Sequence, residues 1–321
     1  MKAQVLEGEG KLPQLKDVPE PEAGKGLVLV KISASGINYA DTMMRRGFYL
    51  QNPQFPFIPG FEFSGVVEAA GEGVKNVKPG DRVMGMGQST YAEYTAVPAG
   101  TLLPVPAGFT DEQAAAFPVT YLTAYGMLTV TARAQAGESI LVHAAAGGVG
   151  TATIQLAKHM GLRVIGTASS EEKLQLARRL GADVTINYAE TDWVKPVLEA
   201  TAGRGADIIF EPNGGNALER DINAAAPFGR IIVFGMASGS QIDPSLGTMF
   251  QNSVAVSAFW LFTLMREPER MAAVVRELTA LAESGRIAPV IGRIYPLEEA
   301  AQALLDLESR KTTGKLLLKM H

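Results

Sequence analysis

Residues 139–159 read SILVHAAAGGVGTATIQLAKH, and residues 163–167 continue as RVIGT. The first stretch runs from a short β-type apolar segment, Ser139–His143, through a glycine-rich turn, into helical apolar spacing over Gly150–His159. Arg163–Thr167 then reads as a second buried strand. Strand, tight turn, helix and strand make the βαβ unit of a parallel sheet. Working outward, Glu171–Leu180 is a second helix stopped by Gly181, and Ala206–Phe210 (ADIIF) and Arg230–Phe234 (RIIVF) are further apolar strands. The middle of the chain is therefore α/β, a doubly wound parallel sheet with helices on both faces.

The flanks differ. Leu27–Ser33, Phe63–Ala69 and Arg82–Met84 read as strands, punctuated by Gly71-Glu72-Gly73 and Lys78-Pro79-Gly80-Asp81. Thr110 and Gln113 form a capping box that opens the first helix of the changed pattern. After the α/β region come two helices, Met271–Glu283 and Leu297–Leu307, and a last short strand, Lys315–Leu318. A β-rich domain built from both flanks, with the α/β domain inserted, accounts for this order.

Composition limits what such a molecule does. The 321 residues suggest about two domains. Apolar residues are 47% and charged residues 19%, which excludes a disordered chain. A net charge of −4 gives no basic footprint for nucleic acid. No cysteine is present, so disulfides and thiolate metal sites are excluded, and the histidines are His143, His159 and His321. The apolar run Val254–Met265 is short of the roughly 20 residues that span a bilayer. A soluble, cytoplasmic protein without a membrane partner is expected.

The glycine-rich turn sits where a dinucleotide fingerprint must sit, after the first parallel strand and opening its helix. Ala146, Gly147, Gly148, Val149 and Gly150 are the candidate contacts. Gly147 lets backbone approach a pyrophosphate, Gly150 allows close helix–strand packing, and the helix N-terminus offers N–H groups. Ala145 replaces the first glycine of G-x-G-x-x-G. The second strand ends in Thr167-Ala168-Ser169-Ser170, without the Asp or Glu that bonds the ribose 2′-hydroxyl of NADH. Ser169 and Ser170 donate hydrogen bonds and Lys173 supplies charge to a 2′-phosphate, so NADPH is the expected cofactor. Glu171 and Glu172 weigh against this, and a solvated helix lysine is the plainer reading of Lys173.

Several further segments carry a family resemblance: Ser35–Asp41 (SGINYAD), Pro59–Gly65 (PGFEFSG), Lys78–Val83 (KPGDRV), Ala145–Gly150, Lys173 with Leu180–Asp183 (LGAD), Asn187-Tyr188, and Arg310–Lys315 (RKTTGK). In this order the chain resembles, end to end, the zinc-independent quinone oxidoreductases of the medium-chain dehydrogenase/reductase superfamily (the zeta-crystallin-like group). The resemblance implies a GroES-like β-rich catalytic domain over 1–120 and 263–321, and a Rossmann NADPH-binding domain over 121–262. It implies an active site between them, in a homodimer.

The same resemblance implies that Asn38 and Phe61 stand where zinc-dependent relatives carry Cys and His, so no metal is expected. It places Asn38, Asp41 and Tyr49 at the catalytic site, Lys173 and Tyr188 at the 2′-phosphate, and Arg310 and Lys315 on the cofactor side. Plainer roles are a turn for Asn38, a helix cap over 41–46 for Asp41, and ring packing for Tyr49. The expected reaction is NADPH-dependent reduction of a quinone or related conjugated carbonyl, with Tyr49 or Asn38 donating to the oxygen that gains charge. Phe250, Phe259, Trp260 and Phe262 are candidate pocket residues, and Val254–Phe262 a candidate edge strand joining subunits. The alternatives are an enone, 2-alkenal or enoyl-thioester reductase, in which Tyr49 protonates the α-carbon, and a non-enzymatic NADPH-binding protein.

Overall fold

The computed structural model describes residues 1–49, 54–240 and 244–320. Seven strands come first: β1 (Lys2–Val5), β2 (Gln14–Asp17), β3 (Leu27–Ile37), β4 (Glu62–Ala70), β5 (Arg82–Met86), β6 (Tyr94–Pro98) and β7 (Leu102–Pro104). Helix α1 (Tyr39–Arg45) lies between β3 and β4, and α2 (Asp111–Ala116) and α3 (Pro118–Gly126) follow β7. The middle alternates β8 (Ser139–Val142), α4 (Gly148–His159), β9 (Arg163–Ala168), α5 (Glu171–Arg179), β10 (Val184–Asn187), α6 (Val194–Ala200), β11 (Ala206–Glu211), α7 (Asn216–Ala224), β12 (Ala225–Val233), α8 (Leu246–Asn252) and β13 (Ala255–Ala258). Helices α9 (Leu261–Met265) and α10 (Pro268–Glu283), strand β14 (Ile291–Pro296), α11 (Ala300–Glu308) and β15 (Lys315–Lys319) complete the order.

Two compact units result: Met1–Thr120 with Thr279–His321, and Tyr121–Leu278. In the first unit the main sheet runs β14-β15-β3-β4-β5-β7, with β6 also on β3. The late strand β15 is inserted between β14, to which it is parallel, and β3, to which it is antiparallel. Its core joins Val28, Val30 and Ile32 of β3 to Tyr295, Leu304, Leu316 and Leu318. The capping box before α2 forms as its residues dictate: Thr110 Oγ1 accepts the Gln113 N–H, and Gln113 Oε1 accepts the Thr110 N–H. Arg45 of α1 reaches Glu308 of α11 at 2.7 Å, with both side chains largely buried.

The second unit is a six-stranded sheet, β10-β9-β8-β11-β12-β13, parallel throughout. Its inner strands, SILV and ADIIFE, are almost wholly buried, as apolar runs covered on both faces must be. Leu141, Ile165, Ile209 and Ile231 share one core with Leu218 and Ile222 of α7.

The structure shifts several sequence expectations. Strand pairing in Val254–Phe262 is confined to Ala255–Ala258, because β12 ends at Val233; a last backbone bond runs from Phe259 N–H to Val233 O, and the chain then enters α9. The helix expected over 41–46 spans Tyr39–Arg45. The return to the first unit falls at Thr279, inside α10, rather than at residue 263. Most of α10, up to Leu278, stays with the second unit, where Arg270, Ala273, Val274 and Glu277 line one cavity with Tyr125, Thr129 and Val130. Among the described residues no helix is long and apolar enough to cross a membrane.

Candidate functional site

In the second unit the chain leaves β8 toward β9 and β10 on one side, then continues through β11 to β13 on the other. The carboxyl ends of β8 and β11 therefore flank the topological switch point, where open α/β sheets bind ligands. The turn His143–Gly147 and the N-terminus of α4 occupy that end. Gly147 is the N-cap, and α4 has no side-chain cap, so the first-turn N–H groups of Gly148, Val149 and Gly150 are offered to an anion. A Cβ on Gly150 would stand 2.3 Å from Ala144 O, so only glycine fits there. Ala146 is buried under the turn and contributes backbone only. Ala145 is accommodated because Gly166 of β9 has no side chain: a Cβ there would lie 3.1 Å from the Ala145 methyl.

The next strand ends supply the second half of the crevice. β9 and β10 pair with Ala168 opposite Asn187, and the Tyr188 N–H bonds Ala168 O at 3.0 Å. Ser169, Ser170, Lys173 and Tyr188 are thus brought to one edge, with the Tyr188 ring partly exposed. Ser170 is the N-cap of α5, its hydroxyl accepting the Lys173 N–H. Glu171 is bound to Arg178 at 2.6 Å, and that hydrogen-bonded guanidinium holds its carboxyl below the usual range. Its charge is compensated along the helix.

In the first unit, three strands place distant residues in one row. Lys315 opens β15, whose Leu316 pairs with Ile37; Asn38 follows Ile37; Glu62 of β4 pairs with Gly36. Lys315 Nζ lies 2.5 Å from Glu62 Oε1 and donates to Asn38 Oδ1 at 2.6 Å. Asn38 Nδ2 donates to Glu62 Oε1 at 2.9 Å and also faces Gly36 O at 3.5 Å. Glu62 Oε2 accepts the Val119 N–H at 2.8 Å. Glu62 is fully buried and Lys315 almost so, and a Cβ on Gly36 would collide with the Glu62 carboxylate. A buried charge pair of this kind persists only where further hydrogen bonds satisfy it, and here Asn38 and Val119 do so.

Asp41 is fully buried beside this row. Its Oδ2 accepts the Asn38 N–H and the Tyr91 hydroxyl, each at 2.7 Å, while Oδ1 is buried without a partner. Burial outweighs these bonds and the Lys315 charge, pushing the carboxyl up to about 6. Burial, with Asp41 alongside, also holds the Tyr91 phenol well above its ordinary range. Tyr49 sits with its ring 6.1 Å from that of Phe61, the residue before Glu62.

Asn38, Asp41 and Lys315 are therefore brought together, with Tyr49 beside Phe61. Asp41 does cap the start of α1, as its plainer reading expects. The Asn38 amide oxygen accepts from Lys315 and its Nδ2 donates to Glu62 Oε1, so the side chain ties these two residues together. Lys315 and Arg310 lie in the first unit, and Arg310 is exposed after α11 with φ +57°. Phe250 is 85% exposed, whereas Trp260 and Phe262 pack on each other at 5.1 Å and the Phe259 ring approaches Gly126.

Glu62 and Tyr91 are the functional residues that sequence reasoning missed. The available signal was an acid inside the apolar stretch FEFSG. Asn38 and Phe61 give no Cys or His at this site, and the donor set does not fit a catalytic zinc.

Residues 24–107 match the alcohol dehydrogenase GroES-like domain family, and residues 148–280 the zinc-binding dehydrogenase family. The quinone oxidoreductase of Rattus norvegicus is 36% identical over 304 residues, 94% of this chain and 91% of that protein. The human synaptic vesicle membrane protein VAT-1 homolog is 35% identical, over 95% of this chain and 82% of that protein. The quinone oxidoreductase of Thermus thermophilus, solved alone and with NADPH, superposes with a TM-score of 0.88 at 40% identity, covering 99% of this chain and all of that one. Sequence, domain order and backbone agree: the chain belongs to the zeta-crystallin-like quinone oxidoreductase family of the medium-chain dehydrogenase/reductase superfamily.

Proposed function

We propose that this protein is an NADPH-dependent reductase of quinones and related conjugated carbonyls, working without a metal and as a homodimer. The observation that carries the reading is the edge formed by Ser169, Ser170, Lys173 and Tyr188, where the neighbouring acid Glu171 is already paired to Arg178. A 2′-phosphate meets hydroxyls and an ammonium there. The Thermus relative solved with NADPH supports it. Bound NADPH supplies the hydride.

The chain's own residues bind and orient. The N-terminus of α4 takes the pyrophosphate, and Lys173 with Ser169 and Tyr188 takes the 2′-phosphate. The Lys315–Glu62–Asn38 row fixes the segment that leads into α1, and Asp41 with Tyr91 fixes its first turn. Tyr49 is the donor for the substrate oxygen that gains charge. Phe61 contributes an apolar face where a metal ligand would be needed for Lewis-acid chemistry. The dimer reading rests on β13, a sheet edge with exposed Ala255 and Ala258, next to the exposed Phe250 and Leu246 of α8.

A steady-state panel of quinones, 2-alkenals and enoyl thioesters with NADPH and NADH tests this. Quinone turnover preferring NADPH is expected; absence of quinone turnover overturns it. The position of Tyr49 beside Phe61 keeps one second reading, enoyl reduction with Tyr49 as proton donor to the α-carbon. Faster enoyl than quinone turnover, abolished in Tyr49→Phe with quinone turnover retained, favours that reading.

A further inference from the structure

A second buried polar cluster lies beneath the dinucleotide crevice and plays no part in the chemistry above. It joins His143, just after β8, Glu211, the last residue of β11, and Asp221 of α7. His143 Nε2 lies 2.8 Å from Asp221 Oδ1, which also accepts the Trp193 indole N–H at 3.0 Å. His143 Nδ1 meets Thr167 Oγ1 at 2.9 Å. Glu211 Oε1 accepts two backbone N–H groups, those of Asn213 and Gly214. The remaining oxygens, Glu211 Oε2 and Asp221 Oδ2, are buried and lack a hydrogen-bond partner.

Two ionised carboxylates have only acceptors to offer each other. One proton between the Glu211 and Asp221 carboxyls satisfies both orphaned oxygens. A metal suits the cluster less well. Two ligand atoms each about 2.0–2.1 Å from a tetrahedral zinc stand roughly 3.3 Å apart, whereas His143 Nε2 and Asp221 Oδ1 are at hydrogen-bonding distance.

We propose that Glu211 is a positioning residue for the dinucleotide: as a neutral carboxyl bridging Asp221 to the Asn213 and Gly214 backbone, it holds the turn after β11 in its binding shape. The proposal rests on the NADPH reading above. The turn stands at the switch point, and Gly214 and Gly215 both adopt positive φ in it. It is locked on its other side as well, since Ser238 donates through its N–H and its hydroxyl to Asn213 O.

The electrostatics agree. Burial, then the neighbouring Asp221, push Glu211 up to about 7, against the pull of His143. Burial disfavours the His143 cation, but the Asp221 charge and hydrogen bond, with Glu211 behind, win and raise it. Arg220 faces the cluster from outside, its guanidinium 3.5 Å over the Trp193 ring and paired to Asp192 at 2.9 Å. With Glu211 neutral the cluster carries one buried negative charge fewer. Ionising Glu211 sets two carboxylates against each other and loosens the turn.

The test is the NADPH dissociation constant, measured by fluorescence from pH 6 to 8 on the full chain and on Glu211→Gln and Glu211→Ala. If only the form with neutral Glu211 binds, the wild-type constant weakens about tenfold over that range. Glu211→Gln keeps an acceptor for the turn and a donor for Asp221, so it should match the wild type at pH 6 within about twofold and lose most of the slope. The 2′-phosphate itself titrates near pH 6, and that part of the slope is common to both proteins. Glu211→Ala should bind about tenfold more weakly at pH 6.

Equal slopes in wild type and Glu211→Gln overturn the proposal, as does a Glu211→Gln as weak as Glu211→Ala. So does stoichiometric metal in the purified wild type that Glu211→Gln loses, measured by elemental mass spectrometry. A wild type that binds no NADPH at any pH overturns the cofactor reading itself and this inference with it. Binding with no pH difference between the two proteins overturns the inference alone.

Discussion

Lys173 is the residue on which cofactor choice turns in the proposed 2′-phosphate site. Its backbone N–H is bound by the Ser170 cap at the start of α5, next to the edge of β9 and β10, and its ammonium is the positive charge proposed there. A charge-assisted hydrogen bond is worth roughly 1.5–3 kcal/mol. Lys173→Glu should therefore raise the KM for NADPH about ten- to a hundredfold while moving that for NADH less than about twofold. Equal changes in steady-state assays with both cofactors would reject the 2′-phosphate assignment.

Asp41 makes a different prediction, about stability. Its carboxyl is raised from 3.8 to about 6 by burial, so the folded chain holds that proton more tightly than the unfolded chain does. The contribution is complete below about pH 4 and is lost as pH rises through 6. At 1.36 kcal/mol per unit this amounts to about 3 kcal/mol at most. Asn at this position still accepts from Tyr91 and from the Asn38 N–H but has no proton to lose. The melting temperature of Asp41→Asn relative to wild type should climb between pH 4 and pH 7. Parallel melting curves across that range would refute it.

At the scale of single elements, the turn into α4 separates two glycines by what surrounds them. A Cβ on Gly150 meets Ala144 O at 2.3 Å, and one on Gly147 meets the same oxygen at 3.2 Å. Gly150→Ala must shift the turn and should cost at least about tenfold in NADPH affinity by fluorescence titration, while Gly147→Ala should cost several-fold less. The reverse ranking would mean that close backbone approach at Gly147, not packing at Gly150, limits binding.

This same turn was legible in the sequence because its signals are local: an apolar run, adjacent glycines, and helical spacing after them. The Thr110 capping box was legible for the same reason. The Lys315–Asn38–Glu62 row was not, because it depends on β15 lying beside β3 and on β4 pairing across Gly36. Its members are 24 and 277 residues apart, and no local spacing reports such pairings. His143 ends the apolar strand segment Ser139–His143, but its bonds to Asp221 and Thr167 come from α7 and β9. The strand expected to run to Phe262 stopped at Ala258 because its length is set by its partner β12.

For the whole molecule, the proposed dimer and the proposed metal-free chemistry are both open to direct tests. Phe250→Asp places a charge on the exposed face of α8 and should shift the chain from dimer toward monomer in light scattering at micromolar concentration. An unchanged mass would place the interface elsewhere. Overnight dialysis against a strong chelator should leave quinone turnover within about 10% of the untreated enzyme, as the donor set around Asn38 and Phe61 requires.

The position of β15 between β14 and β3 also sets an order of events during synthesis. The first unit begins with residue 1, yet its sheet needs residues 315–319 and its Arg45 needs Glu308. As the chain leaves the ribosome, β3 and β4 emerge early and wait for their neighbour, while residues 121–278 can close behind them. Nascent chains arrested once residue 278 has cleared the ribosomal tunnel, but before residue 315 has, should carry a protease-resistant second unit and a digestible first one. The segment that precedes the second unit is thus made before it and completed after it.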